Sequence, residues 1–185
     1  MTSRWFQWRR LDEQGLEIMR LSRQPDGSHL AQSRLILAGI DPLSASYRWT
    51  LDDQLRTRTL DIAVTAAQDR ALHIERRGAA SWSIDGQARA ELDGAEEVDL
   101  SVTSFCNTLA MRRFGAPPGG PGELVCVYVP FPDLNVVPSR QRYERLGPRQ
   151  FKYIDLGASI GFEARLTVDD EGFIRHYEGL FEAIE

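Results

Sequence analysis

The sequence contains little cysteine and no long apolar run. Cys106 and Cys126 are its two cysteines, they form no Cys-x-x-Cys pair, and no histidine or acidic ligand flanks them at metal spacing. We therefore expect reduced, partly buried thiols rather than a metal-bound or catalytic thiol. The longest apolar stretch, residues 124–131, has eight residues, whereas a membrane span needs about 20. The sequence thus predicts no transmembrane segment.

An excess of positive charge is also missing. The 185 residues carry 22 basic and 27 acidic side chains, a formal net charge of −5, and Lys152 is the one lysine. A general nucleic-acid-binding domain is normally basic, so we expect no nucleic-acid partner. Residues 1–10 contain no apolar segment of a secretory signal, and the expected location is cytoplasmic. The length predicts a single domain, residues 1–185.

Motifs of metal and catalytic sites are scarce. The three histidines, His29, His73 and His176, are far apart, and the chain has no His-Glu-x-x-His motif. The acidic run at residues 169–172 lacks the alternating ligands of a calcium loop and is typical of a hairpin tip. We therefore assign no metal ligand, no cofactor and no catalytic residue from motifs.

Alternation with a period of two dominates what is present. Apolar and polar side chains alternate in many short runs, as in strands with one wet face, and residues 125–129 are apolar on both faces. Hairpin-type turns separate these runs at residues 25–27, 85–86, 93–94 and 171–172. The pattern predicts a mostly β fold, an antiparallel roll, barrel or sandwich, rather than a parallel α/β fold. The alternating runs are residues 47–52, 59–65, 72–74, 82–84 and 162–168.

One segment departs from this alternation. Between Ser104 and Phe114 apolar residues recur at near-helical spacing, Ser104 or Thr108 can cap the first turn, and Gly115 follows. We predict the single α-helix here. Residues 116–122 are rich in glycine and proline, and no Lys-Ser or Lys-Thr pair follows them as in a phosphate-binding loop. They are predicted to be a flexible connector.

Two groups of polar residues are candidates for a ligand site. The first, on and after the predicted helix, comprises Asn107, Arg112 and Arg113. In the second, alternation places Gln141, Tyr143 and Arg145 on one strand face and Arg140, Arg142 and Glu144 on the other. Such donors beside an aromatic ring can hold a sugar hydroxyl or an anionic head group. The alternative is a wet sheet face with surface ion pairs, which contribute little.

Two carboxylates form a further candidate. Glu97 and Asp99 are two residues apart, so on a strand they share one face. Exposed to solvent, they would only raise solubility. Turned into a lined cavity, one of the two pKa values would rise and the pair could perform acid–base chemistry.

Three segments resemble a known family. Residues 99–114, which read DLSVTSFCNTLAMRRF, resemble the central signature of the putative glycolipid-binding family of bacterial proteins, an acidic strand followed by Thr-Pro-x-Thr-Asn-Thr-Leu-Pro-Ile-Arg-Arg-Leu. Residues 137–143 are similar to the family's Pro-x-x-Gln-x-Tyr strand, and residues 166–181 to its closing hairpin. Ser104, Cys106 and Ala110 stand where the family more often has Pro, Thr and Pro, which favours a more regular helix.

This resemblance implies a fold and a function. The implied fold is a spiral β-roll, a long antiparallel sheet wrapped around one α-helix, and the implied assembly is a homodimer. The implied ligand is a glycolipid. The resemblance carries no catalytic residue over to this chain.

The leading hypothesis is therefore a cytoplasmic, non-catalytic protein that binds a glycolipid or another amphipathic, lipid-like molecule. One alternative is an enzyme acting on a sugar or lipid derivative through Glu97 or Asp99. A second is a structural homodimer without a small ligand. The predicted ligand-binding residues are Trp49, Trp82, Asn107, Arg112, Arg113, Gln141 and Tyr143.

Overall fold

The computed structural model describes residues 2–115 and 120–184. Within them the chain forms one sheet of fifteen strands and one short α-helix, which confirms the predicted mostly β fold. The elements are β1 Ser3–Arg10, β2 Gln14–Arg23, β3 His29–Ala38, β4 Leu43–Leu51, β5 Thr57–Thr65, β6 Arg70–Arg77, β7 Ser81–Ile84, β8 Gln87–Ala88, β9 Glu97–Leu100, α1 Phe105–Met111, β10 Gly122–Val129, β11 Val137–Gly147, β12 Gln150–Asp155, β13 Glu163–Val168, β14 Ile174–Tyr177 and β15 Phe181–Ala183.

The strand order shows how the sheet is built. From β1 the chain runs strand by strand to β8 at one edge and then crosses to β9 at the opposite edge. From β10 it returns to β15, which pairs with β1. Among the described strands, β9 and β10 are the one parallel pair. A parallel pair needs a long crossover, and α1 lies in that crossover.

The sheet rolls around this helix. All seven residues of α1 are buried, and the Phe105 ring meets Trp49 of β4 edge-on, with centroids 5.8 Å apart. Near the two edges, Trp82 of β7 donates its indole N–H to the carbonyl of Ala95, just before β9. One edge of the sheet therefore lies against the other, which is the spiral form that the resemblance implies.

Alternation decides which side chains fill the roll. On β5, Leu60, Ile62 and Val64 point inward and are at most 3% exposed, as the sequence pattern predicts. Burial of each such side chain contributes about 1.5–3 kcal/mol to folding. Cys106 and Cys126 are free thiols and are fully buried rather than partly so, because α1 and β10 lie at the centre of the roll.

One predicted hairpin turn has a different role. Asp93 and Gly94 follow a 3-10 turn, Ala90–Leu92, and do not join two paired strands. The reason is that the chain leaves the edge strand β8 here and must cross to β9. The other three predicted turns join neighbouring strands, β2 to β3, β7 to β8 and β13 to β14.

The observed helix, Phe105–Met111, is shorter than the one predicted for residues 104–114, and a different residue caps it. Ser104 precedes α1, but its backbone is already helical, with φ −83° and ψ −7°, and its hydroxyl makes no capping bond. Capping requires an extended backbone, and the Phe105 N–H bonds to Thr103 Oγ1 instead, at 3.2 Å. Thr108 lies inside α1, where its hydroxyl accepts a bond from the N–H of Ile174.

After the helix, residues 112–114 form a 3-10 turn, and β10 begins at Gly122. Residues 116–119 of the predicted connector lie outside the described residues. In the two described ranges, 2–115 and 120–184, no helix is long and apolar enough to cross a membrane.

Glu17 of β2 is an acidic side chain inside the roll. It is 3% exposed, and its Oε1 accepts hydrogen bonds from Ser33 Oγ at 2.6 Å and Tyr47 OH at 2.7 Å. Its Oε2 has no partner within hydrogen-bond distance among the described residues. Burial raises the pKa of Glu17 above the ordinary value for glutamate, and the hydrogen bonds offset only part of this rise.

This raised pKa makes the stability depend on pH. The folded chain binds the Glu17 proton more tightly than the unfolded chain does. Proton binding therefore stabilises the fold fully below about pH 4.3, the unfolded pKa. This stabilisation is lost as the pH rises through the raised pKa of the folded state. We expect Glu17→Gln to gain stability relative to the wild type as the pH rises from about 4.3, the unfolded value, through the raised pKa of Glu17. Each pH unit between the folded and unfolded pKa values adds about 1.4 kcal/mol.

Urea unfolding at several pH values checks this prediction. The exposed Glu96 provides a matched control, and we expect Glu96→Gln to follow the wild type at every pH. Parallel pH dependence in the wild type and Glu17→Gln would contradict the prediction.

Candidate functional site

Strand ends, the first turn of α1 and the adjoining loops surround a small pocket at one end of the roll, which we call the end pocket. It has a volume of about 110 Å³. Because one water molecule needs about 10–15 Å³ of such space, there is room for one group the size of a six-membered ring. The lining combines carboxylates, an amide, hydroxyls and aromatic rings: Asp99, Asp155, Asn107, Ser101, Thr103, Ser159, Tyr128, Tyr153, Tyr177, Phe162, Phe181, Leu100 and Leu180.

A chain of buried hydrogen bonds supports one wall of the end pocket. Asn107 Nδ2 donates to Tyr143 OH at 2.9 Å, and Tyr143 OH donates to Gln141 Oε1 at 3.1 Å. Gln141 Nε2 in turn donates to Asp99 Oδ2. Three of the predicted ligand-binding residues, Asn107, Gln141 and Tyr143, therefore come together, although only Asn107 lines the pocket itself.

Asp155, at the end of β12, supplies the second carboxylate. Its Oδ1 accepts hydrogen bonds from the backbone N–H groups of Gly157 at 2.8 Å and Ser159 at 3.0 Å. Its Oδ2 accepts a hydrogen bond from Tyr153 OH at 3.1 Å. Both oxygens are thus held as acceptors, and the carboxylate is fixed at the pocket wall.

Asp99 has a different environment. Burial raises the pKa of Asp99 above the ordinary value for aspartate, and the nearby Asp155 raises it further. Hydrogen bonds from Cys106 and Gln141 act in the opposite direction and are outweighed. The two carboxylates of the end pocket therefore differ: hydrogen bonds occupy both oxygens of Asp155, whereas burial raises the pKa of Asp99.

Two buried side chains of the end pocket carry a polar atom that has no hydrogen-bond partner among the described residues. Asn107 is 4% exposed and Tyr177 is 6% exposed. In the part of the chain that the structure describes, the Asn107 amide oxygen and the Tyr177 hydroxyl form no hydrogen bond, although both side chains line the pocket. Neither atom is among the buried atoms that lack a partner, so both are open to the pocket and a bound molecule can reach them.

Apolar side chains lie at the rim. Ile160 is 79% exposed and Phe162 is 37% exposed, and both belong to the loop between β12 and β13 that carries Ser159. Leu11 is 41% exposed, and its N–H bonds to the carbonyl of Leu180, a lining residue. The mouth of a polar pocket is thus flanked by exposed apolar surface.

The two predicted tryptophans do not reach this pocket. Trp49 and Trp82 are at most 1% exposed. Their indole N–H groups bond to Thr57 Oγ1 at 2.8 Å and to the Ala95 carbonyl at 3.0 Å. Both residues pack in the core of the roll.

The predicted arginines lie at the opposite end, after the helix. Arg113 donates to the carbonyls of Gln54 at 2.9 Å and Leu55 at 3.2 Å. Arg112 donates to the carbonyl of Glu171 and stacks on Phe173, with its guanidinium carbon 5.1 Å from the ring centroid. Neither guanidinium group lines the end pocket.

The arginines of residues 140–149 include members of surface ion pairs. Arg142 Nε donates to Glu123 Oε1 at 2.6 Å, and Arg149 pairs with Asp170. On β11 the predicted alternation is seen at Gln141 and Tyr143, which are buried, and at Arg140, which is exposed. Arg145, predicted on the same face as Tyr143, is exposed because the strand leaves the roll near its end.

The predicted acidic pair, Glu97 and Asp99, shares the inner face of β9 but is divided between two sites. The Glu97 carboxylate accepts hydrogen bonds from Thr57 and lies 3.9 Å from Arg76 and from Arg113. Asp99 faces the end pocket two residues further along. Its partner carboxylate there is Asp155, which is not among the residues predicted from the sequence.

A local signal for Asp155 exists in the sequence. An aspartate that ends a strand and precedes Gly157 and Ser159 is typical of a side chain that caps the following loop. The same loop has the spacing Gly157-x-Ser159-x-Gly161 of a hydrolase nucleophile elbow. It joins two antiparallel strands rather than a strand and a helix, and the lining of the pocket contains no histidine, so that mechanism does not apply.

A larger groove of about 630 Å³ lies against β1–β5 and includes exposed Trp5 and Ile18. Its four charged members, Arg20, Arg34, Arg48 and Asp61, are exposed side chains of the wet sheet face. The end pocket instead combines buried, converging polar groups with a carboxyl of raised pKa, the usual marks of a functional site. Within residues 2–115 and 120–184 no group of histidine, cysteine and acidic side chains could hold a metal ion.

The fold and the pocket together define a spiral β-roll with a small polar site at one end. The chain belongs to the family described as "Putative glycolipid-binding", whose model matches residues 5–183. This confirms the resemblance read from the sequence.

A solved structure agrees with this assignment. The crystal structure of a DUF1089 family protein from Pseudomonas aeruginosa is similar to this chain, with 30% sequence identity, a TM-score of 0.79 and 92% of each chain covered. The similarity confirms the mostly β roll around a single short helix. No curated protein matches the chain.

Proposed function

We propose that the end pocket binds the sugar head group of an amphipathic glycoside. The observation that carries this proposal is the pair of unpartnered groups, the Asn107 amide oxygen and the Tyr177 hydroxyl, in a pocket that also holds two carboxylates. A sugar hydroxyl donates and accepts hydrogen bonds, so it can satisfy all of these groups. The aromatic rings supply apolar faces for the sugar ring.

The rim supports an amphipathic ligand rather than a free sugar. The pocket has room for one ring, so an attached chain has to lie outside it. Ile160 and Phe162 provide exposed apolar surface at that point. The family description supports a ligand of the same kind.

Calorimetric titration with matched ligands tests the proposal. The probes are octyl glycosides of several hexoses, the free hexoses, and a zwitterionic detergent with the same octyl chain. Binding of at least one octyl glycoside, with much weaker binding of its free hexose and of the zwitterionic detergent, is the expected result. Equal binding of all octyl compounds would show chain binding alone and contradict recognition of the sugar.

Tyr177→Phe should weaken this binding without affecting the fold. The substitution removes a hydroxyl that has no partner within the described residues, so the thermal midpoint should stay unchanged. The loss of one hydrogen bond to the ligand, worth about 0.5–1.5 kcal/mol, should raise Kd about 2- to 13-fold. Trp5→Phe, on the outer sheet face, is the control and should bind normally. Wild-type affinity in Tyr177→Phe would remove Tyr177 from the site.

A cytoplasmic location, a homodimer and the absence of a nucleic-acid partner remain predictions. Trp5, Ile18 and Ile36 are exposed on the outer face of β1–β3, which supports contact with a second copy of the chain. A light-scattering mass equal to one chain of 20.9 kDa would exclude the homodimer.

A further inference from the structure

We infer that the end pocket also hydrolyses the glycoside it binds, with Asp99 as the proton donor and Asp155 as the fixed carboxylate that stabilises the cationic transition state. This inference rests on the proposed sugar binding. It adds an activity that binding alone does not require.

The first support is the placement of the two carboxylates. Both line one pocket of about 110 Å³, and Gln141 connects them. Gln141 donates its side-chain amide to Asp99, and its backbone is paired with that of Asp155 across β11 and β12. Glycoside hydrolysis uses a pair of carboxyl groups on either side of the scissile bond.

The second support is the difference between their surroundings. Asp155 accepts hydrogen bonds from Gly157, Ser159 and Tyr153, which occupy both of its oxygens. Asp99 is half-buried in the pocket wall, and its loss of hydration and the nearby fixed carboxylate both favour its protonated form. A carboxyl whose protonated form is favoured and a carboxylate whose two oxygens accept hydrogen bonds match the two roles that the reaction needs.

The third support is the set of groups that would position the sugar. The Asn107 amide oxygen and the Tyr177 hydroxyl have no partner among the described residues and line the same pocket as both carboxylates. Hydrogen bonds from sugar hydroxyls to these groups would hold the ring between Asp99 and Asp155. Such positioning is a large part of catalysis.

The reaction balances with water as the one co-reactant. Asp99 gives its proton to the glycosidic oxygen while the bond from that oxygen to the anomeric carbon breaks. The Asp155 carboxylate stabilises the positive charge on the sugar. A water oxygen then bonds to the anomeric carbon and gives a proton to the Asp99 carboxylate, which restores the starting enzyme. The products are a free sugar and an alcohol.

Other ionisable groups around Asp99 are weak acids. They are Cys106 of α1, Cys126 and Tyr128 of β10, Tyr143 of β11, Tyr153 of β12 and Tyr177 of β14. Burial raises the pKa of each of these groups, so they stay neutral at ordinary pH. The activity should therefore fall as the pH rises and Asp99 loses its proton.

The experiment uses the octyl glycoside that binds in the titration and measures release of the hexose. We expect turnover by the wild type and a loss of about 100-fold or more in kcat for Asp99→Asn, with Kd within about threefold of the wild type. Asp133→Asn is the matched control: this exposed aspartate lies in the neighbouring loop, outside the pocket lining, and should not change turnover.

A second substrate separates proton donation from a structural role. A 2,4-dinitrophenyl glycoside of the same sugar has a leaving group that needs no proton, so Asp99→Asn should lose about tenfold or less on it. Equal losses on both substrates would overturn the role of Asp99. A glycoside that binds to the wild type without being cleaved would overturn the hydrolysis but leave the binding proposal intact, whereas no binding at all would overturn the proposed function itself.

Discussion

Replacing Trp49 by alanine is expected to lower the free energy of unfolding by about 3–5 kcal/mol. The Trp49 ring is 0% exposed and packs edge-on against Phe105 of the helix and Tyr47 of its own strand. Its removal leaves a cavity between sheet and helix. It also takes away the N–H that bonds to Thr57 Oγ1 at 2.8 Å.

Urea unfolding of wild type and variant measures this effect. Trp5 is the matched control because it is 61% exposed on β1, and Trp5→Ala should change the stability by about 0.5 kcal/mol or less. The comparison also tests the sequence-based assignment of Trp49 to the ligand site. A Trp49→Ala protein that is stable but fails to bind the octyl glycoside would support that assignment and contradict a core role.

Glu97→Ala is expected to have a similarly large effect. Glu97 is 0% exposed and lies between the guanidinium groups of Arg76 and Arg113, each 3.9 Å away. Burial raises the pKa of Glu97 and lowers those of both arginines, and their mutual attraction offsets only part of these shifts. Removing the carboxylate takes away the counter-charge that lies between two largely desolvated guanidinium groups, which keep only their bonds to backbone carbonyls, a loss of about 3–5 kcal/mol.

A second variant separates charge from hydrogen bonding at this position. Glu97→Gln retains an oxygen that can accept the hydrogen bonds from Thr57 and from the Val98 N–H. We expect it to lose about 1–3 kcal/mol, less than Glu97→Ala. Equal thermal stability of Glu97→Ala and the wild type would show that the three charges do not interact in the fold.

The fold was predictable to the extent that it depends on local pattern. Period-two alternation identified β4, β5 and β13, and the break in alternation located α1 within a few residues. The role of Asp93 and Gly94 was not predictable, because a hairpin and the start of a crossover use the same turn residues. Whether a hairpin or a crossover forms depends on which strand the following residues pair with in the folded sheet.

The site was predictable only in part, for the same reason. Asn107, Gln141 and Tyr143 were selected because their chemistry suits a sugar, and the hydrogen bonds join them to Asp99. Asp155 could not be predicted as a site residue, because only the fold brings the end of β12 to the pocket that Asp99 faces. Arg112 and Arg113 were selected for charge, but the helix carries them to the opposite end.

The sequence by itself determined the alternation, the single helix and the family, because each is written in residues close together along the chain. Only the tertiary structure decided that Glu97 and Asp99 serve different sites and that Asp155 joins Asp99. The distance along the sequence between Asp99 and Asp155 does not predict this pairing. The rolled sheet brings β9 and β12 to one pocket through contacts between strands that are far apart in the chain. Because both cysteines are free thiols, packing and hydrogen bonds stabilise the roll. The buried tryptophans and Glu97 take part in those contacts.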